Sequence, residues 1–233
     1  LLVVGQREEA ALAIGAVSLV SLSAQFPKGG AKFVVCDGTL PGSPEGLFLE
    51  SVVATIPHEV EVVKNHDIPD VMGRLDAELK RRIADEAAAA EAPATFLILL
   101  GLAKFKKLKQ EDDFDFSFSG EESGPAPGAQ FAELVAEGPG HGMHVIASVD
   151  TYNNVNRFLS RKVLSEFEMR IVFQMSANDS ASLVDSTDAS MLGLHRALFY
   201  NEHDGYLETF RPYALPGADW VEEAGEALRR LLG

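Results

Sequence analysis

The sequence predicts an α/β fold in three layers, a largely parallel sheet between helices, with a hairpin and a helix closing the C-terminus. Three observations lead there. Short apolar runs recur at Leu1–Val4, Lys32–Asp37, Thr95–Leu100, Met143–Ser148 and Arg170–Met175, and such runs mark strands buried on both faces. The segments between them are long enough for parallel crossovers. With 233 residues, 46% apolar and 24% charged, the chain can build a large core and is not disordered. A single domain over residues 1–233 is expected.

The elements follow in order. The first strand ends at Gly5 and a polar turn, Gln6–Glu9, whose Glu8 and Glu9 suit the positive end of a helix. That helix, from Ala10 to about Gln25, is apolar on nearly every face and is broken by Pro27, Gly29 and Gly30. The second strand ends in Asp37 and enters a Gly/Pro-rich loop, Gly38–Gly46. β-Branched residues within Ser51–Val63 predict an edge strand. Ile68 to about Ala90 reads as one long helix, with Asp67 as cap and Pro69 in its first turn. The third strand leads into a short basic helix at Lys104–Lys109, then an acidic, Gly/Ser/Pro-rich surface loop at 111–128. An amphipathic helix, Ala129–Glu137, precedes the fourth strand. After the fifth, Ala197–Tyr200 and Tyr206–Phe210 form a hairpin turning at Asp204-Gly205, and Trp220–Leu232 is the closing helix.

Composition narrows the function. Acidic residues outnumber basic ones 35 to 20, a net charge of −15, so nucleic acid could be met only at local basic patches. The single cysteine, Cys36, excludes a disulfide framework and a cysteine zinc site and fits a reducing, cytoplasmic setting. His141, His144 and His195 show no metal spacing. The apolar stretches Ala10–Ala24 and Ala94–Leu102 fall short of the roughly 18 residues that cross a bilayer. Leu1 lies inside an apolar run without a leader pattern, which suits a C-terminal piece of a longer protein.

Ligands of parallel sheets sit at the carboxyl ends of the strands. Here a strand, a glycine, a short turn and a helix follow one another, the layout of a phosphate-binding P-loop. That loop needs G-x-x-x-x-G-K-[ST]: glycines wrap backbone N–H groups around phosphates, the lysine neutralises them and the hydroxyl holds Mg²⁺. Counted from Gly5, this chain reads Gly5-Gln6-Arg7-Glu8-Glu9-Ala10-Ala11-Leu12. Ala10, Ala11 and Leu12 replace the second glycine, the lysine and the hydroxyl. Glu8 and Glu9 stand where phosphate oxygens would lie, and two unit charges about 4 Å apart repel by roughly 4 kcal/mol at an effective dielectric near 20. The third strand repeats the message. It runs through Leu100 into Gly101 and Leu102 with no carboxylate before Glu111, where a P-loop enzyme places its Mg²⁺-holding acid.

The order of segments resembles the motor domain of the FtsK/SpoIIIE DNA translocases, within the FtsK–HerA group. The residues that carry the likeness are Gly142–Ser148, Met169–Ser176, Asn178–Asp185 and Met191–Tyr200, with Leu1–Gly5 and Phe33–Asp37 in the N-terminal half. The resemblance implies a RecA/FtsK-type P-loop NTPase fold in which Met143–Ser148 is the sensor strand and Arg170 the strand arginine. It also implies a degenerate copy, because the departures fall on the nucleotide-facing positions, Val149 in place of the sensor glutamine included.

The favoured expectation is therefore a non-catalytic module that packs against ATPase domains of the same chain or ring, with no cofactor. An active DNA-translocating ATPase with Mg-ATP in an atypical site is the alternative, requiring Arg7 to replace the lysine and Asp37 or Asp150 the acid. A DNA-binding module using Lys104, Lys106, Lys107 and Lys109 is the other. Expected partner contacts are Asp150, Tyr152, Asn153, Arg170, Asn178, Asp179 and Arg196, with Asp150–Asn156 read as a polar loop and Asn178–Ser180 as a capping turn.

Overall fold

Each predicted strand forms, and all join one eight-stranded sheet in a computed structural model that describes residues 1–110 and 125–233. The strands are β1 (Leu2–Val4), β2 (Ala31–Asp37), β3 (Glu59–Val63), β4 (Ala94–Leu100), β5 (Met143–Val149), β6 (Met169–Val172), β7 (Ala197–Asn201) and β8 (Tyr206–Phe210). Their order is β3-β2-β4-β5-β1-β6-β7-β8, parallel from β3 to β6 and antiparallel through the hairpin. β5 thus separates β1 from β4, which places the ends of all three beside one another.

Alternation along the central strands builds two cores. Phe33, Val35, Phe96 and Ile98 face one side, against α1 (Glu8–Ser23), α2 (Pro44–Val53) and α9 (Ala218–Leu232). Val34, Cys36, Leu97 and Leu99 face the other, against α3 (Ile68–Ala84) and α5 (Pro127–Glu137). Burial of each such side chain stabilises the fold by about 1.5–3 kcal/mol. Arg82 of α3 is also buried, bonding Glu78 at 2.8 Å, the carbonyls of His141 and Pro93 at 3.0 Å and Thr95 Oγ1 at 3.2 Å. It ties α3 to the amino ends of β4 and β5. Bonds from Arg81 and Arg82 outweigh partial burial and hold the Glu78 carboxyl at about 2.

Several boundaries differ from the sequence expectation. Gly38–Gly46 is not all loop: Ser43 accepts the Gly46 N–H at 3.1 Å and caps α2, whose Leu49 and Val52 are buried. β-Branched Val52 and Val53 are helical because packing overrides their strand propensity. The long helix after Ile68 is cut at Asp85, whose carboxylate caps a separate α4 (Glu86–Glu91), and Asp67 makes no side-chain cap to α3. Lys104–Lys109 is a pair of 3-10 turns rather than an α-helix. Most of the expected acidic loop lies outside the described residues, and Pro127 and Gly128 open α5 instead. The fifth strand stops at Val172 rather than Met175.

Two more corrections concern the carboxyl edge. Asp150–Asn156 is not a loop. Thr151 accepts the Asn154 N–H at 3.2 Å and starts α6 (Tyr152–Phe158), which buries Val155 and Phe158. Asn178–Ser180 lies inside α8 (Ala177–Val184), and Ser176 is its cap. A further short helix, α7 (Arg161–Ser165), joins α6 to β6.

Candidate functional site

The carboxyl ends of β1, β2, β4 and β5 surround a cleft of about 310 Å³. Its β1–α1 wall is short. Gly5, Gln6 and Arg7 are the whole connection, and the helix opens at Glu8, its first bond running from the Ala11 N–H to the Arg7 carbonyl at 2.9 Å. Gly5 makes the corner with φ of 145°, and a Cβ there would lie 2.6 Å from Phe173 Cβ. Only glycine fits.

Ala10, Ala11 and Leu12, the counterparts of glycine, lysine and hydroxyl when counted from Gly5, lie inside α1, which starts at Glu8. Ala11 and Leu12 are buried within the first turns. The residues that open the helix, where a P-loop presents its binding groups, are Glu8 and Glu9. The junction also divides its side chains. Gly5, Gln6, Glu8, Ala11 and Leu12 line the cleft, whereas Arg7, Glu9 and Ala10 line a different groove.

Lys104, from the 3-10 turn after β4, lines the cleft. Its ammonium pairs with Glu8, and its stem crosses Gly38 and Gly101, where added Cβ atoms would lie 3.1 and 3.2 Å from Lys104 Cδ. The sequence reading treated Lys104 only as part of a basic cluster. Phe105 and Leu108 are buried beneath it, leaving Lys106, Lys107 and Lys109 exposed. At the neighbouring strand end, Asp37 is 5% exposed and fully engaged. Lys64 pairs with one carboxylate oxygen, and Thr39 donates to the other from N at 2.8 Å and Oγ1 at 2.6 Å. Burial pushes its pKa up, but the bonds from Lys64 and Thr39 prevail and hold it below the ordinary carboxylate value. Ser148 Oγ, on β5, accepts the Gly101 N–H at 2.8 Å.

The expected contact residues separate into two groups. Asp150, Tyr152, Asn153, Asn178, Asp179 and Arg196 all lie at the carboxyl edge, after β5, after β6 or just before β7. Asp150 lines the cleft and accepts from Asn154 Nδ2 at 2.7 Å. Arg170 is elsewhere. It is buried, bonding the carbonyls of Leu183 at 2.9 Å and Leu164 at 3.2 Å and pairing with Glu202 at 2.5 Å, with Tyr200 beneath its guanidinium. Those groups occupy it within the chain.

No family model and no curated protein matches this sequence. Solved structures do. The pCW3 conjugation coupling protein TcpA, solved with ATPγS, aligns with a TM-score of 0.67 at 15% identity, over 96% of this chain and 64% of that one. EccC (ATPases 2 and 3) of Thermomonospora curvata, with a signal sequence peptide, aligns with 0.62 at 16% identity, over 99% of this chain and 42% of that one. The genome packaging NTPase B204 of Sulfolobus turreted icosahedral virus 2, with ATPγS, gives 0.59 at 16%, over 91% and 96%. The fold is that of these ATPases. It agrees with the FtsK-type resemblance of the sequence, and the chain spans less than two thirds of both TcpA and the EccC chain.

TcpA and B204 were solved with ATPγS on this fold, and the corresponding edge of this chain departs from a P-loop in its sequence. The β1–α1 connection is three residues long, and the helix opens on two carboxylates. β4 ends without an acid, and no cluster of three metal-ligating side chains occurs among the described residues. No helix among them is long and apolar enough to cross a membrane.

Proposed function

We propose that this chain is a non-catalytic ATPase-fold module of a larger motor, packing against active ATPase domains in the same chain or ring. One observation carries the reading: the helix at the cleft opens on Glu8 and Glu9, and Lys104, the lysine that lines the cleft, pairs with Glu8. A triphosphate would have to break that pair and then face Glu8 and Glu9 at the helix start. The likeness to chains with several ATPase domains, such as EccC (ATPases 2 and 3), supports a place beside further copies of the fold.

The active-site alternative loses its parts one by one. Arg7 lines the other groove, Asp37 is consumed by Lys64 and Thr39, and Asp150 alone remains in the cleft. DNA binding through the basic cluster has lost Lys104 to Glu8. The test is calorimetric titration of the whole chain with Mg-ATP and Mg-ATPγS, together with phosphate release. No heat of binding and no release are expected; micromolar Mg-ATP affinity would overturn the proposal.

A further inference from the structure

The other side of the β1–α1 junction carries charges that no ion pair among the described residues answers. Arg7 and Glu9 line a groove of about 180 Å³ with Leu194, His195, Arg211 and Tyr213, beyond β6 and at the mouth of the hairpin. Arg7, His195 and Arg211 form no ion pair among the described residues, although Glu9 shares the groove. At the cleft, Lys64 and Lys104 are paired with carboxylates of the same chain. In a protein of net charge −15, this groove inverts the local sign. Its rim is also unusually apolar, with Leu194 68% and Tyr213 77% exposed.

We propose that this groove docks an acidic segment of a partner protein. A carboxylate side chain is gripped by Arg7 and Arg211, and an adjoining aliphatic or aromatic side chain rests on Leu194 and Tyr213. A guanidinium offers a planar fork that fits a carboxylate with two parallel bonds and is weakly hydrated, so it can be covered at low cost. The groove holds one or two side chains and falls below the roughly 300–1,000 Å³ of small-molecule sites. A nucleic-acid backbone would meet the same arginines, but it carries charge along its whole length, and the field of the protein opposes that more strongly than one carboxylate. The groove is separate from the cleft, so this inference does not depend on whether the cleft takes nucleotide.

The experiment is an anisotropy titration of the whole chain with a short labelled peptide alternating aspartate with phenylalanine. The matched asparagine–phenylalanine peptide and single- and double-stranded oligonucleotides are run beside it. The acidic peptide should bind with an affinity that falls as salt rises, and the asparagine peptide at least about tenfold more weakly. Arg7→Ala and Arg211→Ala should each weaken it about tenfold, as losing one charge-assisted contact does, and Leu194→Ser should weaken it as well. Lys162→Ala, an exposed cation off the groove, should leave affinity unchanged, and unfolding curves should show every variant folded. Absence of binding, equal affinity for the two peptides, an equal loss in Lys162→Ala, or an oligonucleotide that displaces the peptide through Arg7 and Arg211 would each overturn the proposal.

Discussion

The two flanks of the α1 start treat their cations differently. On the cleft flank Lys104 is paired with Glu8, and nearby Lys64 with Asp37. On the groove flank Arg7 and Arg211 stand without ion pairs among the described residues, beside exposed Leu194 and Tyr213. Both flanks grow from the same few residues, because successive side chains of the junction point to opposite sides. The contrast separates two uses of charge. A cation paired inside the chain contributes to stability, and an unpaired one contributes little to stability and is free to recognise a partner.

That contrast can be broken at graded points. Gly5→Ala acts on the pivot between the flanks. A Cβ at positive φ, 2.6 Å from Phe173, should cost about 3–4 kcal/mol in denaturant unfolding. Arg170→Met removes a buried, paired cation outside both flanks and takes a donor from the Leu183 carbonyl and from Glu202, so a loss of about 3 kcal/mol is expected by the same measurement.

Asp37→Asn should cost about 1–2 kcal/mol at neutral pH, because it leaves Lys64 unanswered. Since the folded-state pKa of Asp37 lies below its unfolded value, its contribution is present above about pH 4 and is lost as pH falls further. Wild type should therefore lose stability faster than Asp37→Asn through that acid range, and parallel curves would remove Asp37 from the argument.

Lys104→Ala breaks a solvent-exposed pair and should cost less than about 1 kcal/mol. It should not create Mg-ATP binding in calorimetry, because Glu8 and Glu9 remain. Arg211→Ala is the smallest expected change, within about 0.5 kcal/mol of wild type in thermal unfolding, since no ion pair is lost. A large destabilisation there would show that the groove cations are structural after all, and the two flanks would no longer differ.

Much of the architecture is legible in the residues alone. Uninterrupted apolar runs name the central strands, Asp204-Gly205 names the hairpin turn, and the spacing in Trp220–Leu232 names the closing helix. The missing lysine near Gly5 and the missing acid after Leu100 are likewise facts of sequence, since they need only the identity of residues beside recognisable strands.

Tertiary structure decided the rest. The start of α1 at Glu8 rather than Ala10 turns Glu8 toward the cleft and Arg7 away from it, and counting along the motif cannot see that rotation. Lys104 reaches Glu8 across 96 positions because β4 and β1 end at the same edge with β5 between them. The carbonyls that accept bonds from Arg82 and Arg170 come from other segments of the chain. Helices α2 and α6 form against weak or contrary local propensity because Leu49, Val52, Val155 and Phe158 find apolar neighbours. Periodicity reports which faces are apolar; which side chains meet depends on strand order and helix rotation, and these are set by packing across the whole sheet.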